Sequence, residues 1–398
     1  MAVKQTDASK KTAEYGGFRS EGRRHEEGTI WFPLDNIGKI FPAIQGRRYS
    51  TLFRLAVVLD HPIKISALEK ALKRVMLRFP YFQVELRPGV FWYFLERLEN
   101  PPEIMADGRS PCTRYSLKKK GAYLLRVRAY QRRLSVEFCH ALTDGTGGTM
   151  FLRSLVTEYF RQCGTEISDW LDIANPDDRP EPGEFRDANQ VIGVEQYPAP
   201  PARSSAFHIG GQLIPVFDYR IITGLVPLSA LREKARENGA SVTEYISAAL
   251  FWAFQEHIDS LPPRRRRKAK LKPLRILVPV NMRPFYPTQT RRNFFTYIDP
   301  EIDLRLGSYD FSEIVQRVHN YMQVERSHKS LNRHLSRNVS SERSWYVRII
   351  PLWIKDLVLK AVYRHSGDGK NSTSFSNLGG LVLPDEVSKH VQWAEFIP

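Results

Sequence analysis

Hydrophobic and polar residues alternate in two different periods along the first 163 residues. Apolar residues at helical spacing follow the capping box Ser66–Glu69 and stop before Pro80, which predicts a helix. Segments in which every second residue is apolar predict two β-hairpins. The predicted elements are helices over 66–79 and 150–161 and strands over 82–87, 90–95, 123–130 and 134–139. This half of the chain is therefore predicted to be a lobe in which helices pack on a sheet.

The second half repeats this alternation after an interruption. Six prolines with acidic residues between them predict an irregular connection from 164 to about 205. Two further capping boxes, Ser241–Glu244 and Asp310–Glu313, each precede an apolar-periodic segment. The predicted elements are helices over 228–238, 241–254, 310–328 and 352–363 and a buried strand over 274–280. The pattern predicts a second lobe of α/β type.

Length and composition agree with two packed lobes. With 398 residues, of which 42% are hydrophobic, the chain is longer than one core usually accommodates. We expect a flexible leader over 1–28, an N-terminal lobe over 29–163, a crossover over 164–205 and a C-terminal lobe over 206–398. The three cysteines have no metal-ligand spacing and leave one unpaired in any pairing, which favours a reduced, cytoplasmic protein without a metal site. The longest apolar run, 347–363, is too often interrupted by charges to be a transmembrane segment.

The positive net charge of the chain, and its densest basic run in particular, allows three interpretations. The formal net charge is +16, and its densest run is Arg264 to Lys268, bounded by prolines. The favoured interpretation is a solvated loop, followed by a contact with a phosphorylated cofactor or a membrane. Nucleic acid is the least favoured, because no aromatic residues for base stacking interleave with the run.

The candidate chemistry lies where the strand predicted over 134–139 ends. The next six residues, His140 to Gly145, read His-x-x-x-Asp-Gly. A histidine at the end of a strand can hold its imidazole in a cleft as a general base. Gly145, Gly147 and Gly148 indicate a turn, so we expect Asp144 to fold back and fix the loop, with Gly145 permitting the turn.

Several segments, taken in order, resemble the chloramphenicol-acetyltransferase-like superfamily. The segments that carry the resemblance are Phe79-Pro80-Tyr81-Phe82, the motif from His140 to Gly145, Gly239-Ala240-Ser241-Val242, Val278-Pro279-Val280-Asn281-Met282-Arg283 with Asn293-Phe294-Phe295 beyond it, and Ser376-Asn377-Leu378-Gly379. The superfamily comprises two-lobed acyltransferases that depend on coenzyme A, together with the condensation domains of peptide synthetases. The entry from Leu34-Asp35 to Phe41-Pro42 and the strand from Gly89 to Tyr93 look most like bacterial alcohol O-acetyltransferases.

The resemblance implies a mechanism and a set of site residues. His140 would act as the general base in a tunnel between two lobes, moving an acyl group, expected to be acetyl, from acyl-CoA or a carrier-protein thioester to a small or lipid-like alcohol. Asp144 would pair with Arg283 and fix the loop. Asn281, Ser376 and Asn377 would line the substrate tunnel. No bound cofactor or metal is implied.

Two features of the sequence keep other functions open. Condensation domains usually carry two adjacent histidines, and Cys139 occupies the first position here, which favours ester over amide formation. Family members also continue with further strands after the Ser-Asn-Leu-Gly segment, so the C-terminal lobe is expected to be incomplete at its end. The alternatives are a condensation-type amide synthase and a catalytically inactive acyltransferase-like binding protein.

Overall fold

The computed structural model describes residues 23–24, 30–46, 50–108, 110–113, 116–117, 119–191, 203–211, 214–215, 220–343 and 345–398. The leader predicted over 1–28 lies almost wholly outside these residues. The strands are β1 (Arg23–Arg24), β2 (Ile30–Pro33), β3 (Leu52–Leu59), β4 (Val84–Pro88), β5 (Tyr93–Arg97), β6 (Ile104–Ala106), β7 (Leu125–Tyr130), β8 (Arg133–Cys139), β9 (Leu274–Asn281), β10 (Phe295–Ile298), β11 (Glu301–Ile302), β12 (Thr373–Ser374) and β13 (Val391–Ile397). The α-helices are α1 (Phe41–Ile44), α2 (Ile65–Arg78), α3 (Gly145–Gln162), α4 (Ala188–Val191), α5 (Leu228–Glu237), α6 (Val242–Asp259), α7 (Pro263–Lys270), α8 (Phe311–Glu325), α9 (His328–Arg343), α10 (Trp345–Ile349), α11 (Leu352–Val362) and α12 (Asp385–Ser388).

The first lobe is built around β3 and β8. These strands pair antiparallel in a five-stranded sheet of order β13-β3-β8-β7-β6, in which β6 joins parallel to β7. All eight residues of β3 are buried, since α2 and α3 pack together beside the sheet. Aromatic rings such as Phe79, Phe82, Phe138 and Phe151 fill the core. Because this core encloses β8, it fixes the position at which the strand ends, one residue before His140.

The second lobe has a smaller sheet and its own core. Its central strand β9 pairs antiparallel with β10 and β11 and parallel with β12. Helices α6 and α8 pack together, and Phe251, Ile276 and Ile314 are fully buried between these elements. Both predicted capping boxes of this lobe, at Ser241–Glu244 and Asp310–Glu313, are present. The predicted α/β organisation is therefore confirmed.

The final strand does not follow the expected division of the chain. We assigned residues up to 398 to the C-terminal lobe, but β13 pairs antiparallel with β3, and Leu383 and Val387 are buried in the first core. The physical reason is the open edge of β3, whose backbone groups gain hydrogen-bonding partners from β13. The end of the chain thus returns to the first lobe.

The predicted crossover also does more than connect the lobes. Glu184 is buried in it and accepts hydrogen bonds from Arg78 at 2.7 and 2.6 Å and from the Tyr81 hydroxyl at 2.6 Å, both in the first lobe. From the other side, Arg291 Nη2 donates to Glu184 Oε1 at 2.9 Å. The crossover therefore provides a charged contact between the two halves of the chain.

Two local predictions change in the structure. Helix α2 begins at Ile65 with Lys64 as its N-cap, so Ser66 lies inside the first turn and does not cap the helix. The basic run forms the helix α7, because Pro263 at its first position and the following Arg, Lys and Ala residues favour helix. Within the described residues, no helix has the length and apolar character needed to cross a membrane.

Candidate active site

His140 lies directly after β8, where the two halves of the chain meet. Its backbone N–H donates to the Thr51 carbonyl at 2.9 Å, which continues the β3–β8 pairing by one residue. Its ring stacks on Phe41 at 4.8 Å between centroids and lies 4.6 Å from Phe53, both in the first lobe. Phe295 of the second lobe approaches to 6.3 Å. The imidazole therefore occupies an aromatic slot to which both lobes contribute.

The aromatic slot controls the protonation of His140. Burial lowers the pKa of the imidazole to about 4, and the Asp144 carboxylate and hydrogen bonding by Asn293 and Thr143 oppose this shift only in part. At neutral pH the ring is therefore uncharged. An uncharged imidazole is the form that can accept a proton.

Asp144 fixes the turn that follows His140. It is the N-cap of α3, and its Oδ1 accepts from the Gly147 N–H at 2.9 Å. Its Oδ2 accepts from the Phe294 N–H of the second lobe, also at 2.9 Å. We expected the glycines to form a turn, but they form the first turn of α3, because Asp144 satisfies a free N–H at the helix start. The carboxylate is thus the link between the helix start and the second lobe.

The predicted contact between Asp144 and Arg283 is present. Arg283 Nη1 donates to Asp144 Oδ2 at 2.9 Å and Nη2 to Asp144 Oδ1 at 3.3 Å, and both side chains are largely buried. Asn281 Oδ1 accepts from the Arg283 backbone N–H and from Nη1, each at 3.1 Å. Asn281, which we expected to contact substrate, therefore holds Arg283 in place in this structure.

A second buried ion pair, Asp35 with Arg292, lies beside His140 and is not among the predicted site residues. Asn293 Nδ2 donates to the His140 carbonyl at 2.8 Å and to Asp35 Oδ2 at 3.0 Å. Asp35 also accepts from Gly38 N–H at 2.5 Å and from Arg292 Nε at 3.3 Å. Burial raises the pKa of Asp35 to about 6, against the lowering effect of Arg292. Asp35 and Asn293 both lie in segments that carry the family resemblance. The sequence gives no other indication that these two residues belong to the site.

Gly145 has a different role from the one we expected. A Cβ at this position would lie 2.5 Å from Leu378 Cδ2, so a side chain here would require the Leu378 side chain to move. Gly147 is more restricted, since a Cβ there would collide with the backbone carbonyl oxygen of Arg291. Glycine is therefore required at 147, where two backbone segments approach closely, while Gly145 leaves room for Leu378.

Ser376 and Asn377 lie next to this contact on the second lobe. Asn377 is exposed, and its Nδ2 donates to Thr243 Oγ1 at 3.0 Å near the start of α6. Its Oδ1 accepts from the Gly379 N–H at 2.9 Å. Ser376 is half-buried. The neighbouring Leu378 brings the segment to Gly145, whereas a role of Ser376 and Asn377 in lining a tunnel stays a prediction.

Cys139 is part of the packing beneath His140. Its side chain is fully buried, and Sγ lies 3.6 Å from Thr51 Oγ1. Burial raises the pKa of the thiol to about 11, so it is protonated at neutral pH. All three cysteines are free. A protonated, enclosed thiol is a poor nucleophile, which leaves His140 as the reactive group of this strand end.

One other cluster has the composition of a metal site. Among the described residues, the ligand atoms of Asp60, His61 and His390 all lie within 4.8 Å of one another. Asp60 follows β3 at its opposite end from Thr51, about 30 Å from His140 at ~3.3 Å per residue. Each imidazole Nδ1 is already hydrogen-bonded to the Asp60 carboxylate, at 2.5 and 2.8 Å. The cluster thus links β3 to the residue before β13 and lies apart from the candidate active site.

Comparisons with known proteins support the fold. No family model and no curated protein sequence matches the chain. Among solved structures, it is similar to polyketide synthase associated protein 5 from Mycobacterium tuberculosis, with 13% identity, a TM-score of 0.58 and coverage of 92% of this chain and 86% of that one. F. graminearum TRI101 complexed with coenzyme A and deoxynivalenol matches with 13% identity, a TM-score of 0.55 and coverage of 93% and 89%.

A condensation domain belongs to the same group of structural neighbours. The starter condensation domain of rhizomide synthetase, in complex with C8-CoA, matches with 12% identity, a TM-score of 0.51 and coverage of 87% of this chain and 78% of that one. Structural similarity at identities this low establishes the fold and leaves the reaction open. The chain has the two-lobed α/β fold of these solved structures.

Proposed function

We propose that this protein transfers an acyl group, in the first place acetyl, from a thioester to an alcohol, with His140 as the general base. The observation that carries the proposal is the position of His140: uncharged, at a strand end, in a slot formed by both lobes of an acyltransferase-like fold. Acyl-CoA is the expected donor, and an acyl carrier protein is the second possibility. A small or lipid-like alcohol is the expected acceptor, and the cytoplasm is the proposed location of the reaction.

The proposed reaction needs no acyl-enzyme intermediate. The acceptor hydroxyl gives its proton to the His140 imidazole while its oxygen attacks the thioester carbonyl carbon. The tetrahedral intermediate then collapses, the C–S bond breaks and the thiolate takes the proton from the imidazolium, which yields an ester and a free thiol. General-base assistance contributes about 10²–10⁴-fold to such a rate, and the remainder comes from positioning and from donors to the oxyanion.

The remaining residues are assigned positioning roles. Asp144 and Arg283 would keep the turn after His140 in place, and Gly145 would admit the Leu378 segment. Asn281 would act through Arg283, whereas Ser376 and Asn377 are proposed to line the substrate path. The lobe boundaries at 29–163, 164–205 and 206–398 remain part of this proposal, with β13 as the exception described above.

A donor and acceptor screen tests the proposal. Purified protein is incubated with acetyl-CoA, longer acyl-CoAs or an acylated carrier protein, together with a panel of alcohols and amines, and free thiol and product mass are measured. We expect ester formation with a CoA donor, and the variant His140→Ala should lower kcat by about 10²–10⁴-fold with the fold retained. A variant with near wild-type kcat excludes His140 as the base.

The same screen separates the two alternatives. Formation of amides only, and only from carrier-bound donors, would indicate a condensation-type synthase. The similarity to condensation domains makes this function the first alternative. Binding of acyl-CoA without turnover of any pair, in folded protein, would indicate an inactive acyltransferase-like binding protein. Either result would overturn the alcohol acyltransferase proposal.

A further inference from the structure

Two charged side chains of helix α11, those of Lys355 and Asp356, face the protein. Lys355 is only 4% exposed, and its Nζ donates to the Phe91 carbonyl at 2.9 Å and lies 3.8 Å from the centre of the Trp92 ring. The neighbouring Asp356 accepts from the Tyr93 hydroxyl at 2.7 Å. A surface helix usually buries its apolar face and exposes its polar one. Helix α11 departs from this pattern, because Lys355 and Asp356 are turned inward beside Leu352, while large apolar side chains remain exposed.

The opposite face of the same helix carries large apolar side chains. Trp353 is 67% exposed, Leu357 61%, Val358 52% and Val362 49%. Ile349, at the end of α10, is 59% exposed. At about 100° per residue, the four α11 side chains fall within one half of the helix surface. Contiguous apolar surface of this kind indicates contact with another apolar phase or molecule.

Basic residues border this apolar face. Lys360 is exposed and, by helical spacing, lies close to Trp353 at one edge of the apolar half. Arg364 is also exposed and lies two residues beyond the end of α11. The only acidic residue in α11 is Asp356, which is turned toward Tyr93. The whole chain has a formal net charge of +16. An apolar face with a basic edge on a cationic protein is complementary to a membrane that carries anionic headgroups.

We propose that the outward face of α11 docks the protein on an anionic phospholipid surface. Trp353 and Leu357 would enter the boundary between headgroups and acyl chains, and Lys360 and Arg364 would contact phosphate groups at its edge.

The location of α11 gives the docking a consequence for the site. Helix α11 packs on α1, and Phe41 of α1 stacks on the His140 ring at 4.8 Å. In the docked protein, the short helix α1 would therefore lie between the candidate base and the membrane-bound helix α11. This consequence rests on the proposed function, because it assigns the protein a lipid-like acceptor taken from the bilayer. The docking itself does not depend on catalysis.

Vesicle co-sedimentation with the full chain tests the proposal directly. The vesicles are phosphatidylcholine alone or a 7:3 mixture of phosphatidylcholine and phosphatidylglycerol. We expect binding to the anionic vesicles that weakens as salt rises, and at least tenfold weaker binding for Leu357→Glu. The matched control is Leu77→Glu, since Leu77 is exposed to a similar extent, 64%, on α2 of the first lobe. This control should bind as the wild type does.

Each other outcome of the experiment overturns the proposal. These outcomes are no binding to anionic vesicles, equal binding to both vesicle types, and an equal loss of vesicle binding in the two leucine variants.

Two further measurements identify other occupants of the outward face of α11. Light scattering after gel filtration identifies a second copy as the occupant if the wild type is a dimer that Leu357→Glu separates. A melting temperature that falls with Leu357→Glu but not with Leu77→Glu shows that the chain itself covers the face. Failure of the acyl-transfer screen leaves the binding assay unaffected, so the two proposals can fail separately.

Discussion

Two buried carboxylate–arginine pairs flank His140, and they differ in how the carboxylate is satisfied. Asp144 accepts two backbone N–H bonds and two bonds from Arg283. Asp35 is more deeply buried, yet it receives one backbone N–H, the Asn293 amide and a single Arg292 contact at 3.3 Å. A buried anion is stable only where hydrogen bonds replace its lost hydration. Each carboxylate takes one N–H from its own turn, Gly147 or Gly38, and its other donors from the segment between β9 and β10. The difference is that Asp144 receives a second backbone N–H and two bonds from one arginine, whereas Asp35 has a single, longer arginine contact.

The two pairs also act on different parts of the site. Asp144 sets the turn that begins α3, directly after His140. Asp35 reaches His140 through Asn293, whose amide holds the His140 carbonyl. Both arginines come from the segment between β9 and β10, so this one segment joins the second lobe to both sides of the candidate base. The contribution of each carboxylate–arginine pair to stability and activity can be measured separately.

The largest effect is expected at the Asp144–Arg283 pair. Either Asp144→Asn or Arg283→Ala should lower the free energy of unfolding by about 3–5 kcal/mol, because the remaining partner stays buried without compensation. The double variant should lose clearly less than the sum of the two single losses. Denaturant unfolding of all four proteins measures this coupling. Losses that simply add would show that the contact has no energetic role.

A smaller effect is expected for Asp35→Asn. Burial already disfavours the ionised form of this side chain, so replacing it with a neutral amide should lower the free energy of unfolding by ~1–3 kcal/mol, mainly through hydrogen bonds that no longer match. The same unfolding experiment compares it with Asp144→Asn. A loss equal to or larger than that of Asp144→Asn would contradict the difference that we draw between the two pairs.

Asn293→Ala should affect activity more than stability. Loss of its amide removes a donor from the His140 carbonyl and should lower kcat about tenfold through misplacement of the imidazole. The expected loss of stability is about 1 kcal/mol. Steady-state kinetics should show the change in kcat rather than KM, together with a thermal unfolding curve close to wild type. An unchanged kcat would remove Asn293 from the positioning residues.

The pH dependence of stability should differ in sign between Asp35 and His140. The pKa of Asp35 is raised to about 6, so its contribution is present at acid pH and is lost as pH rises through 6. The pKa of His140 is lowered from 6.5 to about 4, so its contribution is present above 6.5 and is lost as pH falls toward 4. Asp35→Asn should therefore gain melting temperature relative to wild type from pH 4 to 6. His140→Ala should gain relative to wild type from pH 6.5 down to 4, and parallel curves would contradict both assignments.

Local sequence patterns determined much of the fold and part of the site. The strand that ends before His140, the helices α6 and α8 and their capping boxes follow from short-range periodicity, because each element's own residues define its buried face and its start. The resemblance connected Asp144 with Arg283, although 139 residues separate them.

Only the tertiary structure decided the remaining features. The central strand β3 is buried along its whole length and so shows no alternation of apolar and polar residues, while β13 becomes a strand by pairing with it across the chain. Asp35 and Asn293 are single polar residues 258 positions apart, and no local spacing relates them. Leu378 approaches Gly145 from the second lobe, and the Lys355 contacts with the first lobe set the orientation of α11. In each case the deciding partner is distant in sequence, and only folding brings it near.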